Sequence, residues 1–146
     1  MSVVKHKIIE EIALIEKSNP PVNAISAAVR VGLLETIENL SLNEKIKAIV
    51  ITAPERTFLA GADIKEFGKK VDAPILGKIC DKIESLNKIV VASLHGTPLG
   101  GGLEVAMSAH YRIAAPNTKV GLPEVLLGIL PGAGGTQRLP RLCGVN

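Results

Sequence analysis

Residues 88–109 read KIVVASLHGTPLGGGLEVAMSA, and the contrast between the two halves of that stretch decides the fold. Lys88 to Leu94 is a short run rich in Ile and Val, the composition of a buried strand. Gly96 to Gly102 forms a glycine-rich turn, and a helix is predicted from about Leu103 to Ala109. Three consecutive glycines, Gly100 to Gly102, cost conformational entropy at such a junction, roughly 0.5–1 kcal/mol each relative to Ala. That cost calls for a reason. A helix N-terminus offers unpaired N–H groups and partial positive charge, which suit an anion or a developing oxyanion. Glu104 lies over the same first turn, where the helix dipole also favours a plain acid. Both readings of Glu104 stand, the simple one and the chemical one.

Upstream, Ile12 to Ile15 and Lys47 to Thr52 read as further strands. Between them Val29, Leu33, Leu34, Ile37 and Leu40 recur at helical spacing, with Ser26 as N-cap. A second helical pattern covers Ala73 to Asn87, with Ile75, Ile79, Ile83 and Leu86 on one face. Downstream, Tyr111 to Ala114 and Lys119 to Gly121 are strand-like, and Val125 to Asn146 is Gly- and Pro-rich without a closing element. Strands alternating with amphipathic helices predict an α/β fold with a largely parallel sheet. No linker, low-complexity tract or exact repeat divides the 146 residues, a length that fits one domain.

Composition removes several function classes. Hydrophobic residues make up 47% and charged residues 21%, which is globular rather than disordered. Mean hydropathy is +0.31, yet the longest apolar run, Val125 to Leu130, is interrupted at Gly128 and ends at Pro131, far short of the ~18 residues of a spanning helix. The N-terminus mixes Lys5, His6 and Lys7 with Glu10 and Glu11 and has no apolar signal core. The expectation is a soluble protein of bacterial-cytoplasmic type, with a mitochondrial or peroxisomal location left open. A net charge of +3 and 2% aromatics suit a small anionic ligand better than nucleic acid. Cys80 and Cys143 form no disulfide framework, and His6, His95 and His110 lack metal-ligand spacing, so no metal is expected.

Two more stretches exceed what local structure needs. In FLAGADIKEF (58–67), Gly61 between two alanines leaves room for a ligand to reach backbone N–H groups. A turn with Asp63 capping the next helix explains it equally. Glu124 follows Gly121-Leu-Pro among Leu122, Val125, Leu126 and Leu127. It is either a surface acid or a carboxyl held in an apolar pocket, where burial suits it to proton transfer. Gly132-Ala-Gly134-Gly-Thr-Gln137 lacks the third glycine of a dinucleotide fingerprint and does not read as a strand-to-helix junction.

The text NPPVNA (19–24), FLAGADIKEF (58–67), HGTPLGGGLEVAMSAHYRIA (95–114) and GLPEVLLGILPGAGGTQRLPRLCG (121–144) resembles the enoyl-CoA hydratase/isomerase (crotonase) superfamily. The NPPVNAIS opening and His110-Tyr-Arg are most similar to the hydratase part of multifunctional fatty-acid oxidation proteins, which also carry a 3-hydroxyacyl-CoA dehydrogenase. The resemblance implies a crotonase-like spiral of repeated β-β-α units, and addition of water across the 2,3-double bond of a 2-enoyl-CoA in β-oxidation. It implies catalytic acids at Glu104 and Glu124, an oxyanion hole from the N–H groups of Ala62 and Gly101, and a water-holding backbone position at Gly132. Coenzyme A would lie near Ala60, Asp63, Ile64 and Lys65, with Arg56 as a possible phosphate contact and Lys65 equally a solvated lysine. No cofactor is implied beyond the thioester substrate. Family members continue into a C-terminal helical part and form trimers, so residues 1–146 are expected to be one domain truncated at its C-terminus, belonging to a homo-oligomer or a larger multifunctional chain. A Δ3,Δ2-enoyl-CoA isomerase and an inactive acyl-CoA-binding fragment are the competing readings.

Overall fold

The computed structural model describes residues 3–145. Five strands form one sheet in the order β1-β2-β3-β4-β5: Val4–Ile9, Ile12–Lys17, Ala48–Thr52, Ile89–Leu94 and Tyr111–Ala114. The pair β1–β2 is an antiparallel hairpin, and β2 through β5 run parallel. Among the described residues four α-helices join and flank them: α1 (Ala27–Leu42), α2 (Leu76–Glu84), α3 (Gly101–Ser108) and α4 (Gly135–Cys143). The largely parallel α/β sheet expected from the sequence is the one observed.

Register explains the core. Ala13, Ile49 and Val90 pair across β2, β3 and β4, as do Ile15, Ile51 and Ala92, and all six are buried. Against this face α1 turns Val29, Leu33, Ile37 and Leu40. Full burial of each branched aliphatic side chain contributes roughly 1.5–3 kcal/mol. The same helix has a cap the sequence did not suggest. Ser26 occupies the N-cap position without a side-chain hydrogen bond. The carboxylate of Glu66 instead accepts from Ala27 N at 2.7 Å and from Arg30 Nη1 at 2.9 Å, so α1 is capped by a residue 39 positions later.

Other boundaries differ from the sequence expectation for local reasons. The strand β1 escapes a period-two reading because only Val4 of its six residues is buried; it is a solvated edge. Lys119 to Gly121 makes a single bridge, Gly121 to Leu99, not a strand. The helix α2 starts at Leu76, not Ala73, since a residue before Pro74 is disfavoured in helical conformation. The glycines enter α3, which begins at Gly101, two residues ahead of the expected start. The last segment does close with an element: α4 runs through Pro140, and the Gly132–Gly135 run therefore leads directly into a helix.

One cation lies inside. Lys17 is 1% exposed, and its Nζ donates to Asn23 Oδ1 at 2.8 Å and to the Ala24 carbonyl at 3.2 Å. Burial lowers its pKa to about 7, against the opposing pull of nearby Glu55. Between about 7 and the ordinary 10.5, the unfolded chain keeps a proton that the folded chain has lost. The lysine's contribution to stability therefore rises with pH across that window, and its penalty is complete below it. The melting temperature of the parent relative to Lys17→Met is predicted to increase between pH 7 and pH 10. A difference that stays flat or falls would contradict this.

Candidate functional site

A second, minimal layer carries the site. After leaving the sheet, four segments meet through single bridges, Ile25 with Ala62 and Leu99 with Gly121, both parallel. Hydrogen bonds from Ile25 N to the Gly61 carbonyl (2.8 Å) and from Gly100 N to the Gly121 carbonyl (2.9 Å) hold each pair. Between the pairs, a Cβ on Gly61 would lie 3.0 Å from the Leu99 carbonyl oxygen, so all four segments pack in succession.

The glycine run is explained here. A Cβ on Gly102 would fall 2.1 Å from the Leu59 carbonyl oxygen, a distance no side chain tolerates. The first turn of α3 therefore lies directly on the 59–62 backbone. A Cβ on Gly101 would lie 3.8 Å from Ala62 N, which brings those two residues together at the helix N-terminus. Neither Ala62 N–H nor Gly101 N–H has a hydrogen-bond acceptor among the described residues. Gly100 takes φ +52 ahead of the helix, and a Cβ there would meet Glu124 Oε1 at 3.0 Å.

Both glutamates turn inward. Glu104 is 2% exposed, and its Oε1 accepts hydrogen bonds from Ala133 N and Gly135 N, each at 2.8 Å. Its carboxyl thus engages amides at the start of α4, beyond the dipole of its own helix, and α4 is the element the sequence did not reveal. Glu124 is 8% exposed at the start of a short 3-10 turn, Glu124–Leu127. Its Oε2 is buried without a partner among the described residues. The apolar-pocket alternative for Glu124 is the one observed. Glu104, Glu124, Ala62, Gly101 and Gly132 line one cavity of about 270 Å³. An adjoining cleft of about 160 Å³ shares Ala62, Gly101 and Glu124 and is walled by Phe67, Leu99 and Leu127.

A groove of about 420 Å³ on the other side of Ala62 contains Ala60, Asp63, Ile64 and Lys65, facing Pro20 and Val22. Asp63 also caps as expected, its Oδ1 accepting from Lys65 N at 3.0 Å. Arg56 is not brought to this groove; it is exposed in the preceding loop. The histidines are structural where they are bonded: His95 Nε2 meets the Glu55 carbonyl and His110 Nδ1 accepts from Val90 N. Burial pushes the Cys80 thiol up to about 12, which leaves it unreactive. No group of three metal-ligating side chains occurs, and no helix is long and apolar enough to cross a membrane, among the described residues.

Sequence reasoning missed two supports of the site. Asn23, fully buried, donates through Nδ2 to the Thr57 and Phe58 carbonyls (2.9 and 3.1 Å). Its own carbonyl accepts from Ala60 N, so it fixes the strand-to-site loop. Nothing local in PVNAI signals this. The Ala133 and Gly135 amides were also missed, although Gly134-Gly135 offered a signal once read as a helix start.

The model of the enoyl-CoA hydratase/isomerase family matches residues 7–146. The chain is 51% identical over 134 residues to the peroxisomal bifunctional enzyme of Danio rerio, covering 92% of this chain and 19% of that protein. A Bacillus subtilis (strain 168) protein named as a probable enoyl-CoA hydratase is 40% identical over 151 residues, covering 99% of this chain and 58% of that one. A crystal structure of an enoyl-CoA hydratase from Thermoplasma volcanium GSS1 superposes with a TM-score of 0.89 at 34% identity, over 99% of this chain and 60% of that one. The crotonase-like fold and the kinship with multifunctional oxidation proteins agree with the sequence expectation. The relatives are peroxisomal as well as bacterial, so a bacterial compartment has only partial support. The chain spans about a fifth of the first of these relatives.

The glycine geometry gives a paired expectation. Gly102→Ala forces α3 off the Leu59 carbonyl and is predicted to cost about 1–3 kcal/mol in urea unfolding. A Cβ on Gly132 meets nothing within 4 Å, so Gly132→Ala should stay within about 0.5 kcal/mol of the parent. Equal effects of the two would contradict the close-approach argument.

Proposed function

The chain belongs to the enoyl-CoA hydratase/isomerase family, and from that premise we propose that it adds water across the 2,3-double bond of 2-enoyl-CoA thioesters, as the hydratase part of a larger β-oxidation protein. The observation that carries this reading is the cavity shared by two buried carboxyls and two backbone N–H groups without acceptors.

The chemistry requires those groups. Hydration needs a water deprotonated as its oxygen attacks C3, and a proton delivered to C2. Two carboxyls facing one substrate divide that work. Glu104, whose Oε1 is already committed as an acceptor to two amides, activates the water, with the Gly132 backbone beside it in the cavity. Glu124, with an unpartnered oxygen, supplies the proton. As the carbon–oxygen bond forms, negative charge moves to the thioester oxygen. The N–H groups of Ala62 and Gly101 donate hydrogen bonds to that oxygen, and one such donor is worth roughly 2.7–4 kcal/mol of barrier. The helix N-terminus at Gly101 adds in the same direction. The coenzyme A portion occupies the groove at Ala60, Asp63, Ile64 and Lys65. The reaction as written needs neither metal nor redox group.

Isomerisation of a 3-enoyl-CoA needs only one well-placed base, so the second buried carboxyl favours hydration. With crotonyl-CoA and the full-length protein, Glu104→Gln and Glu124→Gln are each expected to lower kcat about a hundredfold or more. Turnover unchanged in either variant would overturn the assignment, and faster conversion of 3-enoyl-CoA than hydration of 2-enoyl-CoA would favour the isomerase.

A further inference from the structure

Glu104 is held by a peptide that is itself held from the opposite side. The Ala133 N–H donates to Glu104 Oε1, while the Ala133 carbonyl accepts from Arg138 Nη1 at 2.8 Å. Arg138 lies one turn into α4, with its own N–H bonded to the Gly134 carbonyl. Its guanidinium continues to α2, where Nη2 donates to Glu84 Oε2 at 2.8 Å and Asp81 Oδ1 at 3.1 Å, and Nε donates to Glu84 Oε1 at 3.4 Å. We propose that Arg138 is a positioning residue for the hydration reaction, clamping the start of α4 to α2 so that the Ala133 and Gly135 amides hold the Glu104 carboxyl. The inference rests on the reading of Glu104 as a catalytic acid–base group.

Several observations separate this arrangement from an ordinary surface ion pair. The Arg138 side chain is 11% exposed, whereas Asp81 and Glu84 are 76% and 58% exposed; the guanidinium is enclosed and its partners close over it from solvent. The backbone makes room for it. Gly134 takes φ +94, and a Cβ there would lie 2.2 Å from Arg138 Nη1, so the guanidinium occupies the space a side chain would fill. Its planar fork also bridges two carboxylates and a carbonyl at once, which an ammonium does not reproduce. The hydrogen bond from Arg138 holds the Glu84 carboxyl below its usual range. What reaches Glu104 is geometry. A sub-ångström drift of the Ala133 peptide loosens the carboxyl that must aim at the water, and misplacements of this kind cost up to about a hundredfold in rate.

The test uses the full-length protein in two forms: Arg138→Met, and the double variant Asp81→Asn/Glu84→Gln. The second changes only solvent-exposed side chains and leaves Arg138 in place, so it stays informative if Arg138→Met fails to fold. Each is assayed for kcat and KM with crotonyl-CoA, and the amide protons of Ala133 and Gly135 are followed in protein labelled with 15N-Ala and 15N-Gly. The expected result is a kcat reduced about tenfold or more with KM within about twofold, together with upfield movement of both amide protons as their bonds to Glu104 lengthen. A folded variant in which either readout stays at the parent value overturns the clamp. Should Glu104→Gln itself leave turnover unchanged, the catalytic reading fails, while the amide shifts still report whether Arg138 holds the loop.

Discussion

The first turn of α3 rests on the backbone of residues 59–62 at a distance only glycine permits, and most of the site follows from that contact. With Leu59 O where a Cβ of Gly102 would be, and Ala62 N close to Gly101, two N–H groups from separate β-α units come to one place without acceptors of their own. A helix normally leaves its first donors to water or a cap; here Gly102 N bonds to the Leu99 carbonyl, and the Gly101 backbone lines the cavity. The entropy lost by three glycines is the direct cost of that approach, and it is borne where the resulting donors are useful.

Around this contact the protein spends polar interactions on loops rather than on the sheet. Asn23 ties the 57–60 segment, Glu66 and Arg30 tie the turn after Ala62 to α1, and Arg138 ties the start of α4 to α2. Each joins residues far apart in sequence, and each holds a backbone segment that lines the cavity. Lys17 shows that the arrangement is not free: a lysine kept out of water, its pKa lowered to about 7 by burial, anchors Asn23 at a cost in stability below that pH. The face between the sheet and α1, by contrast, is filled by buried aliphatic side chains. Apolar packing sets the frame, and paired polar groups set the site on it.

The parts legible in the sequence were those whose signal is periodic or compositional. Ile49, Ile51, Val90 and Ala92 announce buried parallel strands, the Val29–Leu40 spacing announces α1, and the glycines before Glu104 announce a junction that needs explaining. Where a signal depends on a partner far away, it was invisible. The strand β1 carries exposed residues on both faces and is defined only by pairing with β2. Pro140 masked α4, because a proline in a nine-residue helix argues against the helix when propensity alone is weighed. The cap of α1 comes from Glu66 and the restraint on Glu104 comes from α4, and no local pattern near α1 or Glu104 encodes its distant partner. Arg56 illustrates the converse, a cation adjacent in sequence to the site that the fold carries away from the groove.

Hydration as proposed requires convergence: two carboxyls on either side of an activated alkene, and two main-chain donors on its carbonyl. A crystal structure of the full-length protein with a 3-hydroxyacyl-CoA product tests it most directly. The expected result is a thioester oxygen within about 3 Å of both Ala62 N and Gly101 N, with the C3 hydroxyl between the Glu104 and Glu124 carboxyls. A thioester bound away from those amides, or with only one of the two glutamates in reach of C2 and C3, would contradict it.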